Sequence, residues 1–229
     1  MADPTWSCLG KVSWPPRMGG GKVTARLVLS DLVTNEPVTD ATAKVCGKLD
    51  TECANPLAMG IASDAEGILA VEVEKGFDGF LELTAPDKLS PILYFFYPPL
   101  DADRTIPYVP LVPPSVYISL ATQLGTNLKL DRGAAIALSY DCQGVTAPGL
   151  EFSVDDEDEI TTPFFMEKGL PSLTAVETDS SGQGGFVNVK PGIRRMSGAL
   201  RQSGAHVGTV SVVVRAGLIT YTTMVPTPD

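Results

Sequence analysis

Thr178-Asp179-Ser180-Ser181-Gly182 runs into Phe186-Val187-Asn188-Val189 and closes on Pro191-Gly192. An earlier stretch has the same grammar: Ser63-Asp64-Ala65-Glu66-Gly67, then Leu69, Val71 and Val73 at alternate positions, then Gly76. Alternation with period two marks a half-buried strand. The Asp of each turn can accept hydrogen bonds from amides two residues on, and the Gly supplies the positive φ that such turns often need. Asp64, Gly67, Asp179 and Gly182 are therefore assigned to turn structure rather than to catalysis.

The pattern extends outward from both turns. Val23, Ala25, Leu27 and Leu29 alternate with polar residues, Asn35-Glu36-Pro37 reads as a turn, and Ala41, Ala43 and Val45 form a second strand. Phe80–Thr84 is a further strand. Ile92–Tyr97 is nearly all apolar, as in a strand buried on both faces. In the second half Leu150, Phe152 and Val154 echo Ala41, Ala43 and Val45, and Ala135, Ala137 and Ser139 give a weaker alternation. Val210, Val212 and Val214, the turn Ala216-Gly217 and the stretch Leu218–Met224 read as a hairpin. Between the halves, Pro98–Pro114 holds six prolines and is expected to be stiff and extended. Ser115 is expected to cap a short helix bearing Val116, Leu120 and Leu124 and stopped at Gly125; a strand over 116–120 is the competing reading. The boundary between two domains is placed here, giving 1–112 and 113–229.

With 229 residues, the chain is long enough for one large or two small domains. Its 27 acidic against 17 basic residues give a net charge of −10, which excludes the basic footprint of a nucleic-acid binder and disfavours an anionic membrane surface. No apolar run approaches the ~20 residues needed to span a bilayer, so no membrane insertion is expected. The 22 Gly and 19 Pro fall between short apolar stretches, the punctuation of an all-β protein.

There are four cysteines and one histidine. No C-x-x-C pair occurs, and the zinc spacings fail. Four cysteines allow three connectivities. The polar, turn-like stretch between Cys46 and Cys53 favours pairing those two, which leaves Cys8 with Cys142. Four buried thiols in a cytosolic protein are the alternative. An even count in a chain of this look favours disulfides and an oxidising compartment. No basic segment followed by an apolar one opens the chain, so a cytoplasmic protein or one whose leader has been removed is expected. Trp6 before Ser7-Cys8 fits a lipidation box poorly.

The strand-turn-strand arrangement, the [Thr/Ser]-Asp-x-x-Gly turn, the alternating strand and the closing Pro-Gly or Gly together resemble the carboxypeptidase regulatory-like domain, a small transthyretin-like β-sandwich. The second half matches better, through Thr178–Gly182 with Pro191-Gly192. The start Trp6-Ser7-Cys8-Leu9-Gly10 is similar to that of predicted bacterial cell-surface proteins. The resemblance implies two transthyretin-like or Ig-like β-sandwiches in tandem with a short helix between them. It also implies an extracellular or cell-surface location and a structural or adhesive role without a catalytic site. Fold alone does not fix function, so an extracellular carbohydrate- or ligand-binding module, and a hydrolase with a non-standard site, are the alternatives.

Three constellations bear on those alternatives. Asp155, Asp156 and Asp158, within an acidic run, are hard oxygen ligands suited to Ca²⁺, although the run lacks D-x-D-x-D-G spacing; a solvated run that protects a strand from edge pairing explains it as well. Tyr94 and Phe96 point the same way along a strand and are the candidates for a ligand platform, an interface between the sandwiches being the competing role. His206 is the only histidine for a hydrolytic site, and no H-E-x-x-H or G-x-S-x-G pattern accompanies it. No cofactor is expected beyond Ca²⁺. The partner expected is an extracellular protein or glycan.

Overall fold

A computed structural model of the chain describes residues 4–14, 20–95 and 98–228. Contacts divide the chain into two compact units, Pro15–Ser119 in one and Met1–Trp14 with Leu120–Asp229 in the other. Among the described residues the regular structure is strand, apart from a short 3-10 turn at Pro4–Trp6 and a single α-helix, α1 (Pro114–Gln123). The helix starts one residue before the expected cap. Pro114 takes the first helical position, where its fixed φ and missing N–H cost nothing, and the amides of Val116 and Tyr117 donate to Pro113 O. Gly125, at φ +63°, follows its end.

The strands of the first unit are β1 (Lys22–Asp31), β2 (Thr42–Gly47), β3 (Ala58–Ala62), β4 (Ile68–Glu74), β5 (Gly79–Thr84), β6 (Ile92–Tyr94) and β7 (Arg104–Leu111). β1 lies between antiparallel β4 and parallel β7. β2 lies between β3 and β5, and β5 continues to β6. The register sets Val23, Ala25 and Leu27 opposite Val73, Val71 and Leu69. All six are buried, so the two alternating runs present one apolar face. The proline-rich stretch is extended as expected, since β7 contains Pro107 and Pro110.

The second unit holds β8 (Gly133–Ser139), β9 (Leu150–Val154), β10 (Thr162–Glu167), β11 (Leu170–Ser172), β12 (Gln183–Val189), β13 (Gly192–Leu200), β14 (His206–Val214) and β15 (Ile219–Met224). β8 lies between antiparallel β12 and parallel β15. β13 lies between β14 and β9. The order β12-β8-β15 therefore repeats β4-β1-β7, and β14-β13-β9 repeats β6-β5-β2. The hairpin expected over 210–224 is not one. β14 ladders with β13 and β15 with β8, so the Ala216-Gly217 turn carries the chain from one sheet to the other. A parallel partner 85 residues upstream, with Ile219 opposite Ala134, outcompetes the neighbour across the turn, which local patterning does not reveal.

The repeated turn motif makes the same hydrogen bonds twice. Leu29 N–H donates to Gly67 O at 2.9 Å and Ser139 N–H to Gly182 O at 2.8 Å. The first residue of each motif uses its hydroxyl as a clasp: Ser63 Oγ accepts from Ala41 N–H at 3.1 Å, and Thr178 Oγ1 from Leu150 N–H at 3.1 Å. The aspartates serve the turn itself. Asp64 Oδ1 accepts from Glu66 N–H at 3.1 Å, and Asp179 Oδ1 from Ser181 N–H at 2.8 Å. Even the turn after the first strand of each unit recurs, with Asp31 Oδ1 accepting from Val33 N–H at 2.7 Å and Asp141 Oδ1 from Gln143 N–H at 2.8 Å.

Candidate functional site

The structure pairs Cys8 with Cys142 and Cys46 with Cys53, across sequence separations of 134 and 7. The first bridge fastens the N-terminal arm to the second unit. With both bridges formed, no described thiol is available as a nucleophile or metal ligand.

The acidic turn is drawn into an ionic cluster supplied by distant parts of the chain. Asp155 meets Arg195, Asp156 meets Lys190 at 2.9 Å and Arg194 at 3.4 Å, and Asp158 meets Arg132 at 3.0 Å and Lys190 at 3.6 Å. Asp158 Oδ1 also accepts from Thr161 Oγ1 at 2.9 Å. That bond leads the causes that lower the Asp158 pKa to about 2, with the Arg132 hydrogen bond and charge adding to it. Asp156 is lowered too, first by its hydrogen bond to Lys190. A Ca²⁺ ion at Asp155, Asp156 and Asp158 would have to displace four cations. The cluster reads instead as a clamp holding the β9–β10 turn to the β12–β13 turn.

The sign of its pH dependence follows. A carboxylate whose folded pKa lies below its unfolded value stabilises the fold above the unfolded pKa, near 4, and loses that contribution as pH falls toward about 2. Asp158→Asn is expected to lower the thermal midpoint by a few degrees at pH 7 and by little at pH 2, as read by circular dichroism. An equal loss at both pH values would contradict the clamp.

Tyr94 is 2% exposed and stacks on Phe80 with ring centroids 5.3 Å apart. It is a core residue and offers no face to a ligand, because β6 is covered on the side to which its ring points. Phe96 lies outside the described residues. His206 is exposed at the start of β14, and its Nε2 lies 3.4 Å from Thr209 Oγ1. The side chain it meets is a threonine, not the carboxylate that orients a catalytic imidazole.

Two features escaped the sequence reading. Asn188, inside β12, adopts φ +58° and is buried. Its Oδ1 accepts from Lys129 N–H at 2.9 Å, and its Nδ2 donates to Asn127 O at 3.1 Å and Thr126 Oγ1 at 3.3 Å. Asn188→Ala would strand those groups and place Ala in the left-handed region. A loss of about 3 kcal/mol is expected from denaturant titration; a loss under about 1 kcal/mol would show that water replaces the amide.

The second feature is the β10–β11 hairpin and the segment after it. Leu170, Leu173 and Val176 are 60%, 49% and 51% exposed there. An open depression of about 620 Å³ lies between residues 123–125 and 167–174. Its lining includes Leu124, Leu170 and Leu173 with Glu167 and Lys168, and no aromatic ring. The turn Lys168-Gly169, with positive φ at both residues, is the local signal that marks this hairpin.

No family model matches the chain, and no curated protein matches it. Among solved structures it is similar to the Bacillus anthracis TIE protein, at 11% identity and a TM-score of 0.31, over 90% of this chain and 34% of that one. It therefore spans about a third of that protein's chain. It is also similar to the minor pilin of Streptococcus agalactiae (14% identity, TM-score 0.28, 90% of this chain and 98% of that one). The major pilin subunit of Bacillus cereus is a third such structure, at 10% identity and a TM-score of 0.30, over 86% of this chain and 69% of that one.

Proposed function

We propose that the chain is a non-catalytic structural or adhesive module of a secreted or surface-displayed bacterial protein. Its architecture would be two transthyretin-like sandwiches in tandem, divided near 112/113, with the N-terminal arm stapled to the second. One observation carries the reading. The side chains singled out for metal or thiol chemistry hold the structure together: the cysteines form two bridges, the motif aspartates serve turns, and Asp155, Asp156 and Asp158 meet cations. The disulfides suit an oxidising compartment, and among the described residues no helix is long and apolar enough to cross a membrane. Exposed Leu170 and Leu173 line a depression with no aromatic ring, and such a surface suits a protein partner better than a stacked sugar ring.

A thermal-unfolding series with Ca²⁺, EDTA and a set of oligosaccharides tests the reading. No additive is expected to move the midpoint. A ligand at a hundred times its Kd would add about 2.7 kcal/mol, so a rise with one oligosaccharide would replace this reading by the glycan-binding alternative, and a rise with Ca²⁺ would restore a metal site at Asp155, Asp156 and Asp158.

A further inference from the structure

We infer that residues 5–9 form a transferable plug, that the end of β8 is its receptor, and that the arm of a second copy can fill this receptor through a Cys8–Cys142 bridge between chains. The two units differ here in a way that the repeat makes visible. The matched bonds of Leu29 and Ser139 to Gly67 and Gly182 align Leu32 with Cys142. In the first unit β7 accompanies β1 as far as Leu111, opposite Asp31, and Leu32 N–H donates to Leu111 O at 3.0 Å. In the second unit Met224, the last residue of β15, takes Tyr140 N–H at 2.9 Å, and the chain then leaves. Thr227 N–H donates to Val207 O on β14 instead, at 3.0 Å. The acceptor that Leu111 supplies in the first unit is thus missing from the strand in the second.

The N-terminal arm supplies it. Thr5 O accepts from Cys142 N–H at 3.2 Å, Cys8 N–H lies 3.1 Å from Cys142 Sγ, and Trp6 is buried, with 9% exposed. The arm also carries its own shape, since Leu9 N–H donates to Trp6 O and Lys11 N–H to Cys8 O. The Cys142–Thr5 backbone bond and the disulfide join the arm to the end of β8, and neither requires the arm to come from the same chain. The choice between a chain's own arm and that of a second copy is set by protein concentration against the effective concentration of the tethered arm.

The covalent step is thiol–disulfide exchange. A dithiol reductant opens one Cys8–Cys142 bridge and is itself oxidised. The freed Cys142 thiolate then attacks the Cys8 sulfur of another copy's bridge, and one S–S bond forms as one breaks, releasing that copy's Cys142 thiolate. Such a link is heterologous, so it adds copies head to tail or closes a ring.

Unlabelled and ¹⁵N-labelled wild-type chains, mixed equally, are reduced with dithiothreitol, reoxidised over a range of protein concentrations and digested without reduction. Hybrid light–heavy peptides are expected at Cys8–Cys142 alone, in a fraction that rises with concentration. Absence of hybrids at every concentration, or hybrids scattered over all four cysteines, would overturn the inference. A second measurement probes the receptor directly. The Cys8→Ser chain is mixed with a peptide of residues 4–11 whose cysteine carries a thionitrobenzoate. Cys142 displaces the coloured thiolate as the new bridge forms. The rate is expected to be roughly tenfold above that of the same peptide with Trp6→Ala, because the buried indole directs the encounter. Equal rates would mean that any accessible thiol partner serves and that no receptor exists.

Discussion

Removal of the Cys8–Cys142 bridge by the paired changes Cys8→Ser and Cys142→Ser is expected to cost about 5 kcal/mol in whole-chain denaturant unfolding, by the chain-entropy relation for a loop closed across 134 residues. The same relation gives about 2.5 kcal/mol for Cys46→Ser with Cys53→Ser, whose loop closes across 7. The contrast matters more than either number, because the buried Cys46–Cys53 bridge and the half-buried Cys8–Cys142 bridge enclose very different lengths of chain. Pro15–Ser119 forms a compact unit inside the larger loop. If that unit is still folded when the second one melts, the loop that is freed is effectively shorter. The full difference is therefore read where both units are unfolded. Equal losses for the two pairs would show that the bridges act through local packing instead.

The second large effect comes from the paired motif glycines. Gly182 has φ +69°, and a Cβ there would lie 2.6 Å from Ser139 O. Gly67 has φ +74°, and its Cβ would lie 2.8 Å from Leu29 O. In each case the obstructing atom is backbone, in the strand whose amide the glycine carbonyl receives, so relief requires opening the clasp. Gly182→Ala and Gly67→Ala should each lose about 2–4 kcal/mol, the left-handed penalty adding to the overlap. Gly144 provides the control, at φ +76° with nothing within 4 Å of a built Cβ. Gly144→Ala should lose only about 1 kcal/mol. If all three lose alike, the motif glycines matter for φ alone and the close approach is not part of the clasp.

Much of this was legible in the sequence because its causes are local. Alternation placed β1, β2, β4 and β5, and the two [Ser/Thr]-Asp-x-x-Gly turns gave the repeat that the strand order displays. Apart from the Cys8–Cys142 bridge, left over once Cys46 is paired with Cys53, partners arriving from far along the chain were not legible. The parallel pairing of β15 with β8 turned an apparent hairpin into a crossing between sheets. Asp155, Asp156 and Asp158 looked like metal ligands because nothing nearby announces that Arg132, Lys190, Arg194 and Arg195 converge on them. The apolar run around Tyr94 points to burial on both faces, and burial, not a ligand platform, is what the structure has there. The left-handed Asn188 within a strand and the Lys168-Gly169 turn left weaker marks, since Asn and Lys are also ordinary surface residues.

The most direct test of a disulfide-stapled module from an oxidising compartment is the redox state of the native protein. Cells of the source organism are quenched in acid, alkylated before and after reduction, and the intact mass of the chain is read. No alkylation of Cys8, Cys46, Cys53 or Cys142 is expected before reduction, and four additions are expected after it. Four additions before reduction would place the protein in a reducing compartment and contradict the account.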